Sequence, residues 1–374
     1  MSVLDKCVTA LRRFDEAALS VAPKLVLAPG TTELLAGREI VIADVGASGG
    51  LDPRWKALAG SMHFLTFEPR AEGIGADPRV TNFPVGLGRE PGRRTLQVAR
   101  FAQSSSLYPV DAGRMNDFAV GEYLKPVGQE EIEIDTLDRC VARSGLPGVD
   151  FLKVDVEGAE LDVLKGAETA LRHHVLGLRV EVAFLRRHLG APLFGEVDGF
   201  LRERGYELFS LSRELMIRRN RLHTPLSQPQ LVWGDAIYFL SRRALFDRLT
   251  PLRPEQRRVA LTRFVLLLLC HRVHDFALEV VEAALAERLL TREAGDTLGQ
   301  TIDRSARHRS GFCIKTLAGV ALAASVYVAA FPMAKSRKLA TLYWRRRAGY
   351  LFYYLWRRTA VEGVLEGSVS DTQL

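Results

Sequence analysis

Phe151-Leu-Lys-Val-Asp-Val-Glu-Gly-Ala-Glu-Leu-Asp-Val-Leu-Lys-Gly166 is the stretch whose reading decides the fold. Phe151, Leu152, Val154 and Val156 are strand formers, whereas Ala159, Leu161, Val163 and Leu164 carry helical spacing. The segment therefore reads as a buried strand that turns at Gly158 and enters a helix. An apolar strand has no structural use for Lys153, Asp155 and Glu157. Open α/β sheets place their chemistry at the carboxyl ends of parallel strands, and these charges sit there. The alternative is a strand end whose carboxylates are simply solvated.

Upstream, Val41-Ile-Ala-Asp44-Val-Gly46-Ala47-Ser48-Gly-Gly50 is a second apolar strand running into an acidic residue and a glycine-bearing loop. Ser48 stands where a dinucleotide-binding loop carries its second glycine. Such loops serve a pyrophosphate, which needs backbone amides. A donor without phosphate, with a zwitterionic amino-acid end, needs only close backbone approach, which glycine allows. Asp44 is near enough to order the loop or meet an ammonium group. A third strand, Met62 to Phe67, ends at Glu68-Pro69, and an acidic residue there typically accepts hydrogen bonds from ribose hydroxyls.

Taken together, Asp44-Val-Gly-Ala-Ser-Gly-Gly50, Phe67-Glu-Pro69, Val85-Gly-Leu-Gly88, Ser104-Ser-Ser-Leu107, Asp135-Thr-Leu-Asp138 and Lys153-Val-Asp-Val-Glu-Gly-Ala-Glu160 resemble the FkbM family of methyltransferases. The resemblance spans roughly residues 40–240. It implies a class I methyltransferase fold, a Rossmann-like, mostly parallel seven-stranded sheet, with S-adenosylmethionine as donor. It also implies O-methylation of a sugar, a glycolipid or polysaccharide unit, or a natural product. Asp44, Gly46, Ala47, Gly50, Glu68 and Gly86 are the cofactor candidates it implies. Ser48 and Gly86 depart from the family's commoner asparagine and alanine.

Methyl transfer needs an acceptor oxygen held in line with the methyl carbon, and a base is useful because a hydroxyl is a weak nucleophile. Asp155 and Glu157, two apart, would point the same way on a strand. Glu181 on the following strand could reach the same crevice, and Lys153 shares a face with Asp155 and is placed to pair with it. These four are the catalytic candidates; the Lys153–Asp155 pair has an equally plain structural reading. Glu160 and Asp162 suit the first helical turn electrostatically. His188, after a strand end, is either an acceptor contact or a solvated loop residue, and Ser104–Ser106 order a loop or form a polar turn. Two close carboxylates allow a divalent ion, but no third ligand has a telling spacing, so no metal is expected. N-methylation of an amine, or a non-catalytic scaffold with this fold, are the competing functions.

The chain has 374 residues, 47% of them apolar, and a formal charge of +7. Residues 251–374 hold +8 of that charge and the remainder −1. A nearly neutral catalytic half speaks against a nucleic-acid substrate. Four scattered cysteines suggest neither a zinc site nor disulfides, and the first residues lack a secretory signal. A cytoplasmic enzyme is expected. Strands are expected at 41–44, 62–67, 80–85, 151–156, 177–184, 206–211 and 236–240, with helices at 159–172 and 194–204.

Three parts follow: a helical lead (1–37), the methyltransferase domain (38–245) and a basic helical module (251–374). In the module, residues 316–334 are uncharged, and residues 335–358 carry eight basic side chains among aromatics. Basic residues flank the uncharged run on both sides, which disfavours a single crossing. An in-plane helix at the inner face of a membrane, through 316–358, is one reading. A helix packed within a soluble domain is the other. The acceptor is accordingly a small molecule, a glycan or a lipid-linked unit.

Overall fold

The computed structural model describes residues 25–47, 52–70, 77–118, 121–216, 218 and 230–307. Its main sheet contains β1 (Ile40–Val45), β2 (Met62–Phe67) and β3 (Val80–Phe83) on one side. The short β4 (Gly86–Leu87), β5 (Gly92–Ala99) and β6 (Pro126–Asp135) form a separate three-stranded sheet ordered β4-β6-β5. The main sheet resumes with β7 (Phe151–Val154), β8 (Gly177–Ala183), β9 (Tyr206–Leu211), β10 (Glu214–Met216) and β11 (Gln230–Leu240). Its order is β3-β2-β1-β7-β8-β11, with β9 and β10 both paired to β11. β1 pairs in parallel with β2 and β7, whereas β11 runs antiparallel to β8 and β9.

All seven expected strands are present, the last of them antiparallel, and β10 adds an eighth to that edge. Strand order reverses between β1 and β7, so their carboxyl ends diverge there and open a crevice. Every residue of β1 is buried, as a parallel strand covered on both faces requires. The expected helix at 159–172 is two short helices, Glu160–Lys165 and Glu168–His173. They break at Gly166, where a side chain would collide with the Gly88 carbonyl, 2.0 Å from an added Cβ. The long interval 93–149 holds β6 and most of β5, which pair along their lengths.

Helix Pro254–Cys270, the start of the expected C-terminal module, packs into the core of the main sheet. Phe264, Val265, Leu266, Leu267 and Leu268 are fully buried, so the helix is apolar on all sides in its second half. Phe151 of β7 stacks on His271 at 4.7 Å, and Phe239 of β11 meets Phe264 edge-on at 5.9 Å. Arg263 Nη1 pairs with Asp150 Oδ1 at 3.0 Å, and Asp150 Oδ2 accepts from Val41 N at 2.8 Å. Burial pushes the Asp150 carboxyl up to about 6 against the pull of Arg263. Helix Arg292–Arg307 docks residues 26–31 through Thr301 and Ser305, whose hydroxyls accept from Ala28 N and Val26 N.

No helix among the described residues is long and apolar enough to cross a membrane. The helical lead up to residue 24, the loop residues Ser48 and Gly50, and the run 316–358 lie outside the described residues.

Candidate functional site at the strand ends

A row of polar residues crosses the sheet where the crevice opens. Register places Asn82, Thr66, Asp44, Lys153 and Arg179 side by side on β3, β2, β1, β7 and β8. Neighbours in one row of a parallel sheet project to the same face, so these charges must satisfy one another. Thr66 Oγ1 donates to Asn82 Oδ1 at 3.1 Å. Lys153 Nζ lies 3.0 Å from Asp44 Oδ1, 3.8 Å from Asp155 Oδ2, and donates to the Gly46 carbonyl at 3.3 Å. Arg179 grips Asp235 of β11 with two bonds of 3.0 and 2.8 Å and reaches Asp52 at 3.5 Å. Lys153 is therefore chiefly the counter-ion of Asp44 and secondarily that of Asp155. A small cleft on this face is lined by Asp44, Asp52, Arg54, Trp55, Lys153, Arg179 and apolar neighbours.

Asp44 is buried, and burial pushes its carboxyl up while Lys153 pulls it back. Its Oδ1 has no aligned hydrogen-bond donor among the described residues, in spite of the nearby ammonium. Lys153 is the ion-pair partner of this carboxylate, which keeps lone pairs that suit the ammonium end of S-adenosylmethionine. At the end of β2, Glu68 Oε1 accepts from Arg70 N at 3.1 Å, which fixes the carboxylate at the strand end. Both features fit the expected cofactor.

Gly46 is constrained from within the protein. Its φ is +83°, its amide donates to Phe67 O at 3.0 Å, and a Cβ would stand 2.0 Å from the Asp155 carbonyl oxygen. The glycine thus lets the β1 loop pass over the end of β7. Gly86 lies in β4, paired with Ile134, where a Cβ would meet the Ile134 side chain at 2.7 Å. Ala47 follows Gly46 in the loop, next to the residues outside the described set.

β7 ends at Val154, two residues short of the expected limit, because the chain turns there. Asp155 N still donates to Val45 O at 3.1 Å, and its side chain is 37% exposed. Glu157 then adopts a φ of +58°, a backbone that a residue with a Cβ seldom takes. Its carboxylate is 15% exposed and pairs with Arg187 Nη1 at 3.0 Å. Arg187 Nη2 binds the buried Glu181, and the guanidinium lies over the Trp233 ring at 4.7 Å. Burial pushes both Glu157 and Glu181 up, with Arg187 opposing. Glu181 thus shares its cation with Glu157, and it is buried.

Arg187 is the residue that sequence reasoning passed over. Its only signal was its place three residues after an expected strand end, in Leu185-Arg-Arg-His188. His188 is neither solvated nor an open contact: it is 1% exposed, and burial pushes it down to about 3. Ser106 is buried, and its hydroxyl donates to the Glu157 carbonyl at 2.6 Å, so the serine run braces the turn. Tyr108 donates to Asp162 Oδ2 at 2.7 Å; burial first, then that carboxylate, pushes the phenol up to about 12. No group of three or more metal-ligating side chains occurs among the described residues.

Residues 44–208 match the family model described as the Methyltransferase FkbM domain. The 2-O-methyltransferase NoeI of Sinorhizobium fredii is 26% identical over 172 residues, covering 43% of this chain and 71% of that protein. Among solved structures, methyltransferase FkbM from Methylobacillus flagellatus is 18% identical with a TM-score of 0.29, covering 54% of this chain and 44% of that one. The Burkholderia thailandensis 1,6-didemethyltoxoflavin-N1-methyltransferase, solved with S-adenosylhomocysteine, is 12% identical with a TM-score of 0.25, covering 64% and 92%. The strand order, not these scores, defines the fold. With that order, the acidic strand ends and the family match, residues 44–208 form an FkbM-type domain of the S-adenosylmethionine-dependent methyltransferases.

Proposed function

We propose that this chain methylates a hydroxyl of a sugar, a glycolipid or polysaccharide unit, or a natural product. The observation that carries the proposal is Asp155: a partly exposed carboxylate at the crevice, with its backbone tied to β1 and a lysine beside it. The 2-O-methyltransferase NoeI, by its name, supports oxygen as the accepting atom. When bound, S-adenosylmethionine supplies a methyl carbon activated by the sulfonium. Asp155 would orient the acceptor hydroxyl and take up its proton. Glu157, locked to Arg187 and largely buried, shapes the turn that aims Asp155. Glu181 completes that ion cluster, and Lys153 holds Asp44 and Asp155 together.

On sequence composition alone, we place the enzyme in the cytoplasm with residues 316–358 at an anionic membrane surface. A lipid-linked acceptor would be reached there.

The test uses methyl-labelled S-adenosylmethionine with glycolipid, polysaccharide and small-molecule fractions of a host cell. Label is expected in a base-stable ether on oxygen. Asp155→Asn should lower its rate about 10²–10⁴-fold, the usual share of a positioned proton acceptor, while leaving cofactor affinity unchanged. Label on nitrogen, or an unaltered rate in the variant, would defeat this reading.

A further inference from the structure

The turn between β7 and the helix Glu160–Lys165 is an improbable conformation that needs an external hold. Glu157 at φ +58° and Gly158 at φ +114° are consecutive left-handed residues, and such backbone at a residue with a Cβ persists only where its surroundings impose it. The hold comes from a side chain placed three residues further on. Glu160 Oε1 accepts from Val156 N at 3.1 Å and from Gly158 N at 3.0 Å, and its Oε2 also accepts from Gly158 N at 3.0 Å.

Glu160 is 5% exposed, so the carboxylate turns inward to the backbone instead of remaining in solvent. A helix-dipole role would not require that burial. The Ser106 hydroxyl on the Glu157 carbonyl and Arg187 on the Glu157 carboxylate hold the same turn. Burial, opposed by these backbone donors, pushes Glu160 up to about 7.

We propose that Glu160 is a positioning residue, whose carboxylate clasps the left-handed turn and thereby aims Asp155 and Glu157, without itself touching donor or acceptor. The kinetic part rests on the methyl-transfer reading above; the conformational part does not. The charged and titratable groups facing Glu160 are Arg187, Glu181 and Tyr108. Protonation of Glu160 removes acceptor capacity from one oxygen and loosens the clasp. Activity limited by this turn should therefore fall as pH drops through about 7.

Two full-length variants, Glu160→Gln and Glu160→Asp, test the assignment. Gln retains one acceptor oxygen and cannot titrate; Asp retains the charge but is one methylene too short to reach both amides. Amide exchange followed residue by residue should accelerate about tenfold or more at Val156 and Gly158 in both variants, with β1 and β8 unaffected. On the fraction labelled by the parent chain, kcat should fall about tenfold, with KM for S-adenosylmethionine within about twofold. The acid limb near neutrality should be absent in Glu160→Gln. Exchange that accelerates everywhere alike, or a kcat and pH profile equal to the parent's, overturns the proposal. A parent that labels no fraction defeats the methyl-transfer reading instead, and the exchange experiment then decides alone.

Discussion

Arg187→Leu removes one guanidinium that two largely buried carboxylates share. Nη1 stands 3.0 Å from Glu157, Nη2 binds Glu181, and the plane covers Trp233. Removing one partner of a buried ion pair costs about 3–5 kcal/mol, because the abandoned charge stays desolvated. The variant should therefore lose about 4 kcal/mol of stability near pH 8. Burial already holds Glu157 and Glu181 above the ordinary carboxylate range, and without Arg187 both rise further. The penalty is full above those raised values and shrinks as pH falls toward the unfolded value of about 4.3, since both groups then protonate in the fold. Urea unfolding of the full chain, followed by circular dichroism near pH 8 and near pH 5.5, should show the loss at least halved at the lower pH. Arg187→Lys should fall between, because an ammonium lacks the fork that spans two carboxylates. A loss below about 1 kcal/mol near pH 8, typical of an exposed pair, or an equal loss at both pH values, would refute the shared-cation account.

Gly46→Ala should destabilise by about 2 kcal/mol or more, since its Cβ has backbone, not a movable side chain, 2.0 Å away and its φ is left-handed. A melting temperature equal to the parent's would show that the loop tolerates the shift. Glu160 and Asp150 are pushed up by burial to about 7 and about 6, so each binds an extra proton in the fold between its unfolded and folded values. Their contribution should make stability rise as pH falls from about 7 to about 5, by up to roughly 1.4 kcal/mol per pH unit for each group. Glu160→Gln should flatten that slope in a urea titration series, and an unchanged slope would remove Glu160 from the account. If residues 316–358 meet an anionic surface, the full chain should float with anionic liposomes at low salt and be released by high salt, whereas a 1–307 truncation should not float. A full chain that stays with the soluble fraction throughout removes the membrane from the reading.

The local order of strand, acidic end, turn and helix was legible because period and chemistry are contiguous in the chain. Ile40–Val45, Met62–Phe67 and Phe151–Val154 announce themselves by apolar runs ending in Asp44, Glu68 and Asp155, and such runs in alternation with helices dictate a parallel sheet. The partners of those charges were another matter. Lys153 adjoins Asp155 in sequence, yet it sits nearer Asp44, more than a hundred residues away, because β1 and β7 pair in a register that puts Asp44 beside Lys153.

Gly46 reads as an opening for a ligand, while its tightest neighbour is the backbone of Asp155. Arg187 resembled any loop arginine until β8 and the turn brought Glu181 and Glu157 to its two ends. The leucine-rich helix Pro254–Cys270 looked like part of a separate basic module, but it covers the sheet, held by Arg263 on Asp150. Sequence determines which backbone pattern a segment favours and which charges it carries, since both are properties of neighbours along the chain. Which charge answers which, and which apolar face is covered, depends on register and packing between distant segments, and only the tertiary structure decides that.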